Sequence, residues 1–207
     1  MKPHIFHASG IALLINVIIF LISASAAAYF RRWPLPSDPL EKLKLIANDR
    51  AGWTAQAILF PVVYLGTAVT FAFITAKLPA TGARWLAITA TLLFFAGFLF
   101  WLPISIDRLR LGANAAELVQ HNNPASPPAI MVNVSGVFWA NTLCILAAQA
   151  LMGIALAWAG VLPVSGWVVA GTAVGSALVG RLAWGDWPPF MRYMILLVIA
   201  IGLMHVT

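Results

Sequence analysis

Four histidines, His4, His7, His121 and His205, are the side chains here with the widest chemical repertoire. Neutral imidazole ligates haem iron. His4 and His7 stand near one terminus and His205 near the other, so an even number of membrane crossings would bring His7 and His205 to one side. These two are the candidate ligands for haem b; the plain alternative is that the terminal histidines are interfacial. His121 falls in a polar loop on the opposite side and reads as solvated. A second group is polar but uncharged. Asn16, Gln56, Thr142 and Gln149 interrupt long apolar stretches, where an amide or hydroxyl facing lipid is costly. They are expected to turn inward. There they serve either as hydrogen bonds between helices or as a polar interior for a small solute or lipid head group.

Other reactive patterns are missing. The chain has no P-loop, no HExxH zinc motif and no GxSxG nucleophile elbow. Carboxylates inside a membrane mark ion and proton paths. Here Asp107 adjoins Arg108 at the end of an apolar stretch and Asp186 lies in a turn, so both read as interfacial charges. No catalytic residue, metal site or carboxylate-coupled transport is expected. Cys144 is the single cysteine, which excludes an intrachain disulfide and a CxxC motif. It reads as a small buried hydrophobe.

The elements that must position these groups follow from composition. Of the 207 residues, 62% are hydrophobic and 9% charged, against about 25% charged in soluble domains. A helix needs about 20 apolar residues to cross the hydrocarbon, and unpaired backbone is not tolerated there. The expected fold is all-α: one integral domain, 1–207, a polytopic transmembrane bundle of six helices at about 8–30, 52–76, 85–106, 132–160, 162–180 and 188–206. The first stretch has a small-residue end, Ser23 to Ala28, like a leader's cleavage site, but it reads as a true span. Within span 2, Pro61 is expected to kink the helix, with Gln56 and Thr67 on one face. Span 1 aligns Ser9, Asn16 and Ser23, and span 4 aligns Ser135, Thr142 and Gln149. Gly171 and Gly175, with Ser176 on the adjoining row, predict a close helix-packing face.

Between helices 1 and 2 a short interfacial helix is expected, capped by Asp38, with Pro39 at its first position and Glu41 three residues after the cap. Its Leu40, Leu43 and Ile46 or Ala47 share a face that would lie on the cytoplasmic membrane surface. Residues 113–120 predict another short helix, stopped at Asn122-Asn123-Pro124. Arg31, Arg32, Lys42, Lys44, Arg50, Arg108, Arg110, Arg181 and Arg192 are read as loop charges on one side, and Lys2, Lys77 and Arg84 on the other. The positive-inside bias then makes the richer side cytoplasmic and both termini periplasmic, in a bacterial inner membrane. The net charge of +6 is thus topological, and no nucleic-acid partner is expected. Trp33, Trp53, Trp85, Trp158, Trp167, Trp184 and Trp187 fall near span ends, as an aromatic belt.

Two short stretches resemble a known family. His7-Ala8-Ser9-Gly10-Ile11-Ala12-Leu13-Leu14 is similar to the first helix of small bundles in the copper-resistance-D and protoporphyrinogen-oxidase-J superfamily, which opens with a histidine, a glycine three later, then aliphatics. Phe100-Trp101-Leu102-Pro103 with Asp107-Arg108-Leu109-Arg110 resembles a helix end in a related membrane family. The likeness covers about 20 of the 207 residues and implies haem binding at His7. From the residues themselves, the first expectation is a non-catalytic accessory or assembly subunit of a larger, bioenergetic membrane complex. Its partners would be the lipid bilayer and other membrane subunits. A haem-b or porphyrin-binding protein and a small-solute or lipid carrier are the alternatives.

Overall fold

The computed structural model describes residues 3–28, 38–121, 136–180, 182 and 189–206. Among them seven helices form: α1 (Pro3–Ala26), α2 (Pro39–Asn48), α3 (Arg50–Lys77), α4 (Gly82–Gln120), α5 (Gly136–Trp158), α6 (Ser165–Val179) and α7 (Pro189–Met204). Lys2, Arg31, Arg32, Trp33, Asn122-Asn123-Pro124, Ser135, Arg181, Trp184, Asp186 and Trp187 lie outside the described residues, as does the His4 side chain.

Four helices, α1, α3, α4 and α5, are long and apolar enough to cross a membrane. The last two are apolar but shorter, at 15 and 16 residues. The chain is thus an all-helical protein of integral-membrane character. Its outward faces carry Ile11, Ile15, Ile18 and Ile22 on α1 and Ile58, Val62, Leu65 and Val69 on α3. An apolar exterior around a partly polar interior is what a hydrocarbon solvent selects.

The six longer helices close into a ring. Each packs on its neighbour in the chain, and α1 returns to pack against α7. The first helix therefore lies between α3 and the last. Close approach is set by glycines whose added Cβ would strike a neighbouring backbone: Gly10 against the Ala200 carbonyl, and Gly153 and Gly166 against each other. The α5–α6 contact runs through that last pair, with Val169 and Ala173 buried beside it. Gly171 and Gly175 do not form it, for nothing lies within 4 Å of a Cβ on either. The stretch from Ser165 to Val179 carries two small-residue rows, and the bundle uses the one that contains Gly166.

Inside the ring, aromatic rings link the helices. Phe20 of α1 stacks on Tyr193 of α7 at 3.8 Å and on Phe60 of α3 at 4.6 Å. Trp101 of α4 meets Phe60 at 5.6 Å and Tyr64 at 5.4 Å.

The short helix expected between the first two spans forms, as α2. The Asp38 side chain accepts from the Leu40 N–H at 3.0 Å, and Leu43 and Ile46 are buried. Glu41 pairs with Lys44 at 2.7 Å, a contact that holds the Lys44 ammonium above its ordinary pKa. The partner of the apolar face is protein: Leu43 and Ile46 cluster with Trp53, Leu111 and Ala115. The region read as a span over 85–106 followed by a separate helix over 113–120 is one 39-residue helix. At 1.5 Å per residue it is about 58 Å long, well beyond the hydrocarbon thickness of about 30 Å. Pro103 lies inside it without ending it, and Pro61 likewise lies within α3. No proline separates 106 from 113, Gly112 is packed against the Trp53 ring, and α2 covers the apolar face that continues there. Trp85, Trp158 and Trp167 are exposed together where α4 begins, α5 ends and α6 begins, as an interfacial belt requires. Trp53 is instead buried, donating its indole N–H to the Arg108 carbonyl at 2.7 Å.

The two glycine rows make separable predictions. Gly166→Ala should lower unfolding free energy by about 1–3 kcal/mol through overpacking. Gly171→Ala should leave it unchanged or raise it, since alanine is the better helix former. Thermal unfolding of both variants in one detergent checks the pair.

Candidate functional site

Arg192 is the fourth residue of α7 and its side chain is entirely buried. This corrects its reading as a charge flanking the turn before the last span. The start of α7 packs inside the ring, so the guanidinium points among α3 and α5. Its Nη1 donates to Asn141 Oδ1 and to Thr142 Oγ1, the latter at 3.0 Å. Its Nη2 donates to the Tyr64 hydroxyl at 3.2 Å. The Arg192 carbonyl accepts from Gln149 Nε2 at 2.9 Å. Phe138 and Trp101 cover the cation at 5.5 and 6.0 Å. No carboxylate among the described residues pairs with it. Neutral dipoles and ring faces solvate the charge, which is how a buried guanidinium without an ion pair persists.

Asn141 is the pivot of this arrangement. Its Oδ1 accepts from Arg192 while its Nδ2 donates to the Gly97 carbonyl at 2.7 Å, tying α4, α5 and α7 together. Thr142 also donates to the Phe138 carbonyl at 2.9 Å, so its oxygen is free to accept from the arginine.

A second cation lies nearer the end of the bundle where α2 sits. Arg108, 4% exposed, donates from Nη1 to Gln56 Oε1 at 2.8 Å. Its guanidinium is 5.5 Å from both the Trp53 and the Trp101 rings. This corrects the reading of Arg108 as a loop charge: it is buried within α4. Asp107 is exposed and sits 3.8 Å from Arg110 one helical turn on. Trp101 stands between the two buried arginines, one guanidinium within 6.0 Å of its ring and the other within 5.5 Å.

The four polar residues singled out in the sequence thus separate. Thr142 and Gln149 join at Arg192, and Gln56 joins Arg108. Asn16 is half-buried, its Oδ1 2.8 Å from where a Cβ on Gly66 would be. Asn141, Tyr64 and the two arginines were not singled out. The heptad from Ser135 through Thr142 to Gln149 drew attention past Asn141. The Pro188-Pro189 pair was the available signal for Arg192, because proline favours the first turn of a helix and so sets residue 192 inside one.

At the opposite end, His7 and His205 lie on adjoining helix ends. His7 Nδ1 donates to the Met204 carbonyl and His205 Nδ1 to the Ile201 carbonyl, both at 2.9 Å. Both rings are exposed. An anchored Nδ1 with Nε2 left over is the arrangement of a metal-ligating histidine. An open apolar groove lined by Val161, Leu162, Val164, Val168 and Val198 adjoins His205. Among the described residues no three histidine, cysteine, aspartate or glutamate side chains group as a metal site. Ser176 is partly exposed on α6, and Cys144 is partly buried with a free thiol.

No family model, curated protein or solved structure matches the chain.

The pivot can be tested against a surface control. Asn141→Ala strips an acceptor from a buried charge, which costs about 1.5–3 kcal/mol. Asp107→Ala breaks only an exposed pair and should change stability by less than about 1 kcal/mol. Denaturant unfolding in micelles should separate the two variants clearly.

Proposed function

We propose that this chain is a six-span protein of a bacterial inner membrane, with both termini periplasmic, acting as a non-catalytic accessory or assembly subunit of a larger membrane complex. The observation that carries the reading is how the interior polar groups are used. Arg192, Asn141, Thr142, Tyr64, Gln149, Arg108 and Gln56 bond to one another or to backbone carbonyls across helices. They hold helices in register, and the chain's outward activity falls to its surfaces. The orientation is supported by charge. Lys42, Lys44, Arg50 and Arg110 belong to the end that carries α2, against Lys77 and Arg84 at the other. In this reading α6 and α7 are the fifth and sixth spans, and α2 rests at the cytoplasmic surface over the extension of α4.

A second reading, haem b binding, is favoured by the anchored imidazole of His205 beside its apolar groove. His205, with His7 at the adjoining helix end, would hold the iron, and the group would supply one-electron chemistry. Absorbance in the Soret region that is lost in His205→Ala would support it.

The accessory reading is tested by purification at native expression in a mild detergent. One or more larger membrane proteins should co-purify in fixed stoichiometry, and cysteine-directed labelling of engineered termini should report them outside the cytoplasm. Recovery of the chain alone, with full activity assigned to it in reconstituted vesicles, would overturn the reading.

A further inference from the structure

The polar groups around Trp101 are not balanced. Trp101, Ser105 and Arg108 follow at intervals of four and three along α4, so they share one helix face. All three are buried, as is Arg192, whose guanidinium lies 6.0 Å from the Trp101 ring. Trp101 Nε1, Ser105 Oγ and Arg192 Nε have no hydrogen-bond partner. Indole and guanidinium nitrogens can only donate, and the serine hydroxyl donates as readily as it accepts. A buried donor without an acceptor is destabilising, and three occur around Trp101 and Arg192.

The arginine itself shows where an acceptor belongs. A guanidinium has five N–H donors. The bonds to Asn141, Thr142 and Tyr64 use the two protons of Nη1 and one of Nη2. What remains is the Nε proton and one on Nη2. The edge that grips two oxygens of a carboxylate or phosphate in parallel pairs the Nε–H with a proton on Nη2, and its Nε half is idle here. The ring of Trp101 lies against Arg192 and Arg108 alike, so an anion there would also be close to two positive charges. α3, α5 and α7 all begin at this end of the bundle, and their N-termini add positive potential.

We propose that the α4 face bearing Trp101 and Ser105, together with the unpartnered Nε–H of Arg192, binds an oxyanion, a carboxylate or phosphate. The oxygens accept from Arg192 Nε and from the indole and hydroxyl of α4. The ligand is either a soluble anion or the head group of a membrane phospholipid.

The test exploits the idle state of the donors. With no anion bound, Ser105→Ala removes a hydroxyl that bonds to nothing, so it should leave the delipidated protein as stable as before or more so. Thermal unfolding in a non-ionic detergent is then followed while acetate or phosphate replaces chloride at constant ionic strength. A parallel series adds phosphatidylglycerol, with diacylglycerol as the phosphate-free control. The full-length protein should be stabilised saturably by at least one oxyanion, and Ser105→Ala should weaken the midpoint of that response about tenfold, the factor expected for one lost hydrogen bond of about 1.4 kcal/mol. A response to phosphate or acetate identifies a soluble ligand; a response to phosphatidylglycerol alone identifies a lipid head group; either supports the proposal. No response to any oxyanion, or equal responses in the parent protein and Ser105→Ala, overturns it and leaves the three donors to bound water.

Discussion

A guanidinium enclosed by apolar helices must be given a solvent made of protein, and Arg192 is the residue for which this bundle supplies one. Taking a charged side chain out of water is costly unless it is hydrogen-bonded. The cost is offset here by groups from three other helices: the hydroxyl of Tyr64 on α3, the amide and hydroxyl of Asn141 and Thr142 on α5, and the indole of Trp101 on α4. None of these contacts survives if one helix slides by a turn. The charge therefore fixes relative depth in a bundle whose remaining contacts are largely interchangeable hydrocarbon. Asn141 extends this registration to α4 through the Gly97 carbonyl, and Gln149 fastens the α7 backbone two turns further along α5.

Ring stacking and close glycine contacts work at a different scale. Phe20 between Phe60 and Tyr193 joins α1 to the helices on both sides of it. Gly10, Gly153 and Gly166 bring backbones together where any side chain would intervene. These contacts set the distance between helices; the polar groups set their height. Lipid offers no hydrophobic reward for association, so a membrane bundle needs both.

Much of the architecture was legible because hydrocarbon leaves few options. Apolar length located the helices, and Asp38-Pro39 located the start of α2 through capping chemistry that depends on neighbouring residues only. The extent of α4 was less visible. Residues 107–120 look polar along the chain, and only the apolar stripe of Leu111 and Ala115 against α2 makes them part of the same rod. The site was legible in halves. Thr142, Gln149 and Gln56 could be picked out because a neutral polar group in an apolar run is conspicuous. Arg192 could not, because an arginine near a span end is normally a topological marker, and what buries it is the convergence of Tyr64 and Asn141 from distant parts of the chain. The choice of glycine row on α6 was likewise undetermined, since the rows of Gly166 and Gly171 are alike locally and differ only in what α5 presents.

The order of those partners along the chain also bears on biogenesis. Tyr64, Asn141 and Thr142 all precede Arg192, as do Trp101 and Phe138. Synthesis from the N-terminus delivers the acceptors and ring faces to the bilayer before the cation that needs them. The arginine thus enters a socket already assembled, and the nascent protein is spared an interval in which a bare charge stands in oil.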